Sequence, residues 1–256
     1  MTDSKPLILI SNDDGIQSRG IRALAQIASE YGDVIVVAPD KGYSGQSHSI
    51  TVGAQLRVRN YDMKLSGVKS YMVSGSPVDC IKLGYHALVG RKPTLVLSGI
   101  NHGNNISSSV HYSGTMGAVR EGALLGVKGM GFSFDDNDDT ADLSHALPIV
   151  SKLIDWLLHT DIQSNIFYSV NIPANCKPQG IRAVRMAEGH WREDYHMAED
   201  PWNGKHYWLV GTFINDNPSD TETDEYWLKQ GYATICPVKL DVTATEIYQQ
   251  LKKETF

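Results

Sequence analysis

Near its N-terminus the chain reads Leu7-Ile8-Leu9-Ile10-Ser11-Asn12-Asp13-Asp14-Gly15. Four consecutive leucine and isoleucine residues predict a strand that is buried on both faces, and the polar residues after them predict a turn. Apolar residues then recur at helical spacing from Ile21 to Ala28, and Val34-Ile35-Val36-Val37-Ala38 is a second apolar run. The order strand, helix, strand predicts a βαβ unit.

The same alternation continues along the chain. Thr94–Ser98 and Ile166–Ile172 read as further buried strands, and Gly114–Leu125 and Ala141–Leu158 read as helices. These patterns predict a three-layer α/β fold, in which a mostly parallel, Rossmann-like sheet carries helices on both faces.

The last part of the chain changes character. From about residue 180 to residue 234, Trp, Tyr and acidic residues alternate in short runs, which predict hairpins outside the main sheet. A short helix is predicted over Thr243–Lys253, with a threonine cap at its start. We therefore expect one α/β domain over residues 1–256, in which about 180–256 form an extension of hairpins and a terminal helix.

Composition narrows the class of protein. Among 256 residues, 41% are hydrophobic and 20% charged, which is typical of a globular chain. The formal net charge of −6 argues against a binder of nucleic-acid polymers, whose affinity comes mainly from Lys and Arg. The three cysteines show no CxxC pair, and the apolar run at Leu7–Ile10 is too short for a membrane span or a signal-peptide core. A cytoplasmic protein with no membrane contact is expected.

Adjacent carboxylates follow the first strand. In parallel sheets ligands bind at the carboxyl ends of strands, and hard divalent cations prefer oxygen ligands. Asp13 and Asp14 are therefore candidates for a divalent-metal site. Asn, Asp and Gly are also ordinary turn formers, so these residues alone leave a plain turn open as the alternative.

Three further polar segments follow predicted strands or open a helix of the same sheet, and we expect them to converge on the first. They are Pro39–Ser49, Ser98–Asn105 and Tyr112–Gly117. The last of them opens a helix, where free N–H groups and the helix dipole favour an anion. A simple serine or threonine cap is the structural alternative there.

These residues resemble the SurE family of stationary-phase survival proteins, which are metal-dependent 5′-nucleotidases and phosphatases. The resemblance covers the N-terminal half densely and the C-terminal part more thinly. The matching stretches are Ile10–Ile16, Val37–Asp40, Ser44 with His48–Thr51, Gly75–Cys80, Ser98–Asn101, Tyr112–Thr115, Val170–Pro173, Thr223-Asp224 and Gly231–Pro237.

The resemblance implies roles for individual residues. It implies that one divalent ion per subunit, Mg²⁺ or Mn²⁺, is held by Asp13, Asp14, Ser44 and Asn101. Phosphate would be bound by Ser113, Gly114 and Thr115, with Asn12 as an additional contact. The implied substrate is a nucleoside 5′-monophosphate, with 3′-nucleotides or polyphosphate as wider activities, and the implied assembly is a homodimer or homotetramer.

The resemblance does not identify the residue that accepts a proton from the attacking water. Asp13 is the first candidate for a combined role as ligand and base, and direct water attack and a phospho-aspartate both stay open. His48, His102 and His111 could donate a proton to the leaving group, but packing or solvated roles are favoured for them.

Aromatic residues could stack a nucleoside base, although aromatic side chains are more often packed in a core or an interface. The candidates are Tyr112, Trp191, Tyr195, Trp202 and Tyr207.

Three other classes of protein are weaker fits. Phosphatases of the haloacid dehalogenase type place their aspartates two apart, whereas Asp13 and Asp14 are adjacent. A dinucleotide-binding module would need a glycine triplet after the first strand, and that turn lacks it. An oligomeric scaffold, in which the carboxylates only cap a helix, is the third.

Overall fold

A computed structural model describes residues 5–161 and 165–255 of the chain. In this part a central sheet has the strand order β3-β4-β2-β1-β5-β6-β7-β11-β8. The strands are β1 Leu7–Ser11, β2 Asp33–Pro39, β3 Val58–Asn60, β4 Lys69–Val73, β5 Leu95–His102, β6 Lys128–Phe134, β7 Ile166–Ile172, β8 Ile181–Ala183 and β11 Ala233–Lys239. Two more strands, β9 Gly189–Glu199 and β10 Lys205–Asn215, pair with each other outside this sheet.

Parallel pairing dominates the central sheet. Strands β4, β2, β1, β5, β6 and β7 run parallel, while β3 and β11 pair antiparallel with their neighbours β4 and β7. The predicted α/β fold with a mostly parallel sheet is confirmed. Because the strands are parallel, their carboxyl ends lie along one edge, where the loops after β1, β2 and β5 meet.

Helices cover both faces of the sheet. They are α1 Arg19–Ala28, α2 Pro77–Leu83, α3 Ser109–Tyr112, α4 Gly114–Leu124, α5 Leu147–His159, α6 Asp224–Lys229 and α7 Thr245–Leu251. Ile8 and Ile10 of β1 pack into a core with α1 and α5, whereas Leu7 and Leu9 pack into a second core with α2 and α4. This alternation explains why the strand is apolar at every position.

Some elements are absent from the sequence-based prediction. Strand β6 reads Lys-Gly-Met-Gly-Phe-Ser-Phe, and its glycines lie beneath α4. A Cβ on Gly129 would meet the Val119 carbonyl oxygen at 2.9 Å, and one on Gly131 would meet the Met116 side chain at 2.6 Å. Close packing of α4 on β6 therefore requires glycine at these positions. Because glycine is not apolar in the way a strand pattern requires, the sequence of β6 does not read as a strand.

The extension differs in part from the prediction. Strand β11 pairs with β7 and β8 pairs with β11, so both belong to the central sheet; among the residues that the structure describes, only β9 and β10 form a hairpin outside it. The side chains of Cys236 and Val238 are buried in the core on the α2 and α4 face, which explains why β11 covers the edge of β7. The predicted domain and extension also include residues 1–4, 162–164 and 256, which lie outside the described residues.

Two helix starts are also corrected. Residues 143–145 form a separate 3₁₀ turn capped by Asp142, and α5 begins only at Leu147, with Pro148 in its first turn where a missing N–H costs little. The terminal helix α7 begins at Thr245, its cap residue is Ala244, and no side chain caps it, so the predicted threonine cap is wrong. Over the residues described, no helix combines the length and apolar character needed to cross a membrane.

Replacement of Phe132 by alanine should be strongly destabilising. Phe132 on β6 is fully buried in the core that α1 and α5 cover, so the cavity should lower the free energy of unfolding by about 3–5 kcal/mol. Urea denaturation followed by circular dichroism measures this loss. The matched change Val52→Ala, at a residue that is 81% exposed, should cost less than about 0.5 kcal/mol. Equal losses in the two variants would contradict the assignment of β6 to the core.

Candidate functional site

The turn after β1 is held by its own side chains. Asn12 Nδ2 donates hydrogen bonds to the Gly15 carbonyl oxygen at 3.0 Å and to Ser18 Oγ at 2.9 Å. Gly15 has a φ of 94°, a left-handed conformation that glycine adopts without strain. Asn12 is fully buried and its Oδ1 has no partner among the described residues. Its amide thus orders the turn from below.

Asp13 lies against the first residues of α4. Its side chain is almost wholly buried, and Thr115 Oγ1 donates a hydrogen bond to its Oδ1 at 2.5 Å. A Cβ on Gly114 would meet the Asp13 Cβ at 2.8 Å, so only glycine lets the helix approach this closely. Burial raises the pKa of Asp13, against the hydrogen bonds from Thr115 and the Gly114 backbone, which lower it.

The pKa of Asp14 is also raised. Burial, together with the negative charge of neighbouring Asp13, raises the pKa of Asp14 to about 7. Its Oδ2 is buried and has no hydrogen-bond partner in the described part of the chain. A buried and a partly buried carboxylate side by side, with an unpartnered oxygen, are a donor set that fits a divalent cation, because a cation would offset both the lost hydration of the charges and their mutual repulsion.

Asn101 brings an amide oxygen to the same place. The pairing of β5 with β6 shifts register between Ser98 and Asn101, and Gly99 has a φ of 117°. Asn101 Nδ2 donates to the carbonyl oxygens of His102 and Gly103, at 3.0 and 2.8 Å. Both amide protons are therefore used, and Oδ1 is left 3.4 Å from Thr115 Oγ1.

Ser44 reaches the site from the loop after β2. The Tyr43 backbone N–H donates to the Asp13 carbonyl oxygen at 2.7 Å, which brings the loop next to the aspartates. Ser44 itself is exposed. Together with Asp13 and Asn101 it lines one cavity, and together with Asp14 it lines another.

The start of α4 is an N-terminal cap as well as part of this site. Ser113 Oγ accepts a hydrogen bond from the Met116 N–H at 3.1 Å, and Ser113 also lines the first cavity. The N–H groups of Gly114 and Thr115 face Asp13. The structure thus brings Asp13, Asp14, Asn101, Ser44 and these three residues to one edge of the sheet.

Two cavities flank the aspartate pair. The hairpin cavity, about 420 Å³, lies between Asp13 and the β9–β10 hairpin. Its wall includes Asn105, Ser109, Tyr112, Trp191, Leu209 and Val210. The loop cavity, about 670 Å³, lies on the Asp14 side and is lined by residues that include Arg19, Asn137 and Asp139. Ser44 and His102 line both.

The hairpin wall is the part of the site that sequence reasoning found least well. Trp191 was among the aromatic candidates for base stacking, but Leu209 and Val210 were not, since they lie about a hundred residues after Asn101 in the chain. No local pattern connects them to the aspartates. The available signal is the run of four consecutive apolar residues in β10, Tyr207–Val210, which are exposed on the hairpin.

The three histidines occupy different surroundings. His48 Nε2 pairs with Glu121 Oε2 at 3.0 Å. His48 does not line either of the two cavities. His102 lines both cavities, and His111 is exposed on α3. Only His102 lies within the site itself.

A metal site of the usual His, Cys, Asp and Glu type is not present: within residues 5–161 and 165–255, no cluster of three or more such residues could hold an ion. The donor set at this edge is different, since it combines two carboxylates with one amide and one hydroxyl oxygen. Such all-oxygen sets suit Mg²⁺ and Mn²⁺ better than Zn²⁺.

Comparison with known proteins identifies similar chains. A family model described as Survival protein SurE matches residues 8–193. A Cytophaga hutchinsonii protein named 5′-nucleotidase SurE is 44% identical over 254 residues, which cover 98% of this chain and 97% of that protein. A protein of the same name from Flavobacterium johnsoniae is 40% identical over 253 residues, covering 98% and 97%.

A solved structure gives the same result at the level of the fold. The SurE protein from Aquifex aeolicus superimposes with a TM-score of 0.82 at 30% sequence identity, covering 97% of this chain and 99% of that one. The likeness therefore includes the C-terminal extension as well as the central sheet.

The raised pKa of Asp14 makes the stability of the metal-free protein depend on pH. The folded state holds a proton on Asp14 up to about pH 7, whereas the unfolded chain loses it near pH 4. The contribution of Asp14 to stability should therefore fall as pH rises from about 4 to 7, and its full penalty should be present above that window.

Asp14→Asn removes this penalty. In EDTA at pH 8 the variant should be more stable than the parent by about 1–3 kcal/mol, less than the roughly 4 kcal/mol of a full three-unit shift because Asp14 is partly exposed. At pH 4 the two proteins should unfold alike. Urea titrations at both pH values measure the difference, with Asp40→Asn in the neighbouring exposed loop as control. A stability difference between Asp14→Asn and the parent that is the same at pH 4 and pH 8 would contradict the electrostatic account.

Proposed function

The chain belongs to the SurE family, and on this premise we propose that it is a divalent-metal-dependent 5′-nucleotidase that hydrolyses nucleoside 5′-monophosphates to nucleoside and phosphate. Nucleotide phosphatase activity follows from the family. The single observation that carries the metal dependence is the adjacent Asp13–Asp14 pair, buried at Asp13 and partly buried at Asp14, which in the described residues forms no ion pair with any Lys, Arg or His.

The proposed metal ligands are Asp13, Asp14, Ser44 and Asn101. In support, Asp14 presents an unpartnered oxygen, Asn101 directs its amide oxygen towards the Asp13 contact, and Ser44 lines the cavities on both sides. When bound, Mg²⁺ or Mn²⁺ supplies positive charge against the phosphoryl group and lowers the pKa of a water molecule. One ion per chain is inferred, because the four donors converge on a single place.

Phosphate binding is proposed for Ser113, Gly114 and Thr115. Asn12, the further contact that the resemblance implied, is buried and donates both amide protons to Gly15 and Ser18, so it orders the turn instead. Among the described residues, the wall of the hairpin cavity contains no Lys or Arg. The negative charge of a phosphate would therefore be met by hydroxyl and N–H donors at the start of α4, in addition to the metal. Asp13 lies directly against that helix start, which keeps the phosphate donors and the metal donors adjacent.

Asp13 is also the proposed proton acceptor. Its carboxylate lies in the wall of the hairpin cavity, where it can accept a proton from a water molecule. Thr115 Oγ1 donates to Oδ1 of Asp13, so Oδ2 is the oxygen that this hydroxyl leaves for other contacts. A water placed in the hairpin cavity beside Asp13 is thus the nucleophile in this scheme.

The nucleoside is assigned to the hairpin cavity. Its volume of about 420 Å³ lies within the roughly 300–1,000 Å³ of small-molecule sites. Trp191 is 39% exposed and packs edge-on against Phe213, with ring centroids 6.1 Å apart, which fixes its indole in the cavity wall. Leu209 and Val210 on the facing strand complete an apolar surface suited to a base.

Wider properties are inferred from the family resemblance. Activity on 3′-nucleotides or polyphosphate, a cytoplasmic location, and a homodimer or homotetramer all belong to this proposal. The exposed apolar side chains of the hairpin, which include Trp202 at 86%, and the uncovered helix α7 support an assembly. We also propose that residues 1–256 form one domain, since β8 and β11 tie the extension to the central sheet.

The metal dependence can be tested directly. Purified protein stripped with EDTA should release no phosphate from AMP until Mn²⁺ or Mg²⁺ is added, and Asp13→Asn should lower kcat by about 10²-fold or more. Asp40→Asn, in the next loop and exposed, is the matched control and should keep full activity. Undiminished AMP hydrolysis by the EDTA-treated protein would refute the proposal.

If Trp191 contacts the base, its loss should affect AMP but not a substrate that has no base. Trp191→Ala should raise KM for AMP by roughly 5- to 100-fold, as expected from loss of a stacking contact worth about 1–3 kcal/mol. Hydrolysis of ribose 5-phosphate, which has no base, should change little. Trp202→Ala, on the same hairpin but away from the cavity wall, should leave both substrates unaffected. If Trp191→Ala impaired both substrates equally, the indole would not be contacting the base.

A further inference from the structure

A buried carboxylate next to the site has no part in the proposed chemistry. Glu121, in the third turn of α4, has a side chain that is only 5% exposed. Its Oε2 pairs with His48 Nε2 at 3.0 Å and its Oε1 with Lys82 Nζ at 2.8 Å. We refer to these three residues as the Glu121 cluster.

The cluster joins three segments of the fold. Glu121 belongs to α4, Lys82 to α2 and His48 to the loop after β2 that also carries Ser44. Burial alone would raise the pKa of Glu121, but the hydrogen bonds and charges of His48 and Lys82 hold it below its usual value. The carboxylate is thus a charged acceptor for both donors, and such charge-assisted hydrogen bonds are stronger than neutral ones.

The loop between Tyr43 and His48 is fixed at its two ends. At the first end, the Tyr43 N–H donates to the Asp13 carbonyl oxygen. At the other, the Ser47 N–H donates to the Tyr112 carbonyl oxygen at 2.8 Å, and His48 donates to Glu121. A Cβ on Gly117 would meet the Ser47 carbonyl oxygen at 2.5 Å, so this end of the loop lies directly on α4.

The residues between these ends have little support of their own. Ser44, Gly45 and Gln46 are exposed. In the described part of the chain, Ser44 Oγ makes no hydrogen bond. The span is braced by two turn bonds, from the Gln46 N–H to the Tyr43 carbonyl oxygen and from the Ser49 N–H to the Gln46 carbonyl oxygen. The position of Ser44 therefore depends on where the two ends of the loop are held.

We propose that His48 is a positioning residue, which through its hydrogen bond to buried Glu121 holds the loop on α4 and thereby keeps Ser44 Oγ beside the Asp13–Asp14 pair. This inference rests on the proposed function, because it takes Ser44 as a metal ligand. It gives His48 a role distinct from that of a proton donor, consistent with the absence of His48 from both cavity walls.

Lys82 provides the matched control. It contacts the same carboxylate at a similar distance, but it lies on α2 and not on the loop. A purely structural need for a neutralised Glu121 would make the Lys82 and His48 contacts equivalent. A positioning role for His48 makes them different.

The test is Mn²⁺ affinity, measured by isothermal titration calorimetry and by electron paramagnetic resonance of the free ion, without substrate. His48→Ala should weaken Mn²⁺ binding about tenfold. His48→Gln, whose amide can donate to Glu121, should recover most of that loss. Lys82→Met should stay within about twofold of the parent, because Lys82 lies on α2 and its contact with Glu121 does not hold the loop that carries Ser44.

A double-mutant cycle with Ser44→Ala shows whether His48 acts through Ser44. Ser44→Ala should itself weaken Mn²⁺ binding, and adding His48→Ala to it should have little further effect, because the ligand that His48 positions is already absent. A His48→Ala effect of the same size with and without Ser44 would overturn the proposal. So would equal losses in the His48→Ala and Lys82→Met variants.

Gly117→Ala tests the same contact from the helix side. Its Cβ would meet the Ser47 carbonyl oxygen at 2.5 Å and displace this end of the loop, so variant protein that is folded by circular dichroism should lose Mn²⁺ affinity. Unchanged affinity in a folded Gly117→Ala or His48→Ala protein would overturn the inference. Should Ser44→Ala bind Mn²⁺ as well as the parent, the ligand assignment of Ser44 and the role of His48 both fail, while metal-dependent AMP hydrolysis, measured separately, would still support the nucleotidase.

Discussion

The structure around the site depends on two adjacent carboxylates at the carboxyl end of β1, the buried Asp13 and the partly buried Asp14. Burial raises the pKa of Asp13, and burial together with the negative charge of Asp13 raises the pKa of Asp14. The neighbouring residues respond to this constraint. Thr115 and the start of α4 donate hydrogen bonds to Asp13, and Gly114 is required because any larger residue would collide with it. These donors offset part of the negative charge, and a divalent cation would offset the rest because it would contact both carboxylates at once.

The parallel sheet explains how residues far apart in sequence come together. Strands β2, β1 and β5 are neighbours, so the loops after them lie side by side. The register shift in β5 then turns Asn101 towards Thr115, and the Tyr43 N–H binds the Asp13 carbonyl oxygen. The hairpin β9–β10 supplies the remaining wall, so one site combines a rigid sheet edge with a surface from the extension. In this account the sheet edge holds metal and phosphate while the hairpin holds the nucleoside.

Much of this could be predicted from local sequence. The apolar runs of β1, β2 and β7 identify those strands, and the helical spacing from Ile21 to Ala28 identifies α1, because burial on two faces leaves a pattern that does not depend on distant residues. Strand-end reasoning also brought Asp13 together with Asn101 and the start of α4. The glycines of β6 erased its pattern, however, and β11 reads as part of the extension because its partner β7 is more than sixty residues away. The contact between the hairpin and the aspartates could not be predicted for the same reason, because a contact between residues far apart in the chain leaves no periodic pattern in the local sequence. Ser44 came from the family resemblance, not from its exposed and unremarkable loop.

The most direct test of the central claim is the location of the cation. Crystals grown with Mn²⁺, measured at a wavelength where manganese scatters anomalously, would show the ion without reference to activity. The account predicts one anomalous peak per chain, within about 2.5 Å of oxygens from Asp13, Asp14 and Asn101, at the distances usual for hard cations. An absence of any peak at the end of β1, or a peak bound in the loop cavity by Asp139 without Asp13 and Asn101, would contradict it.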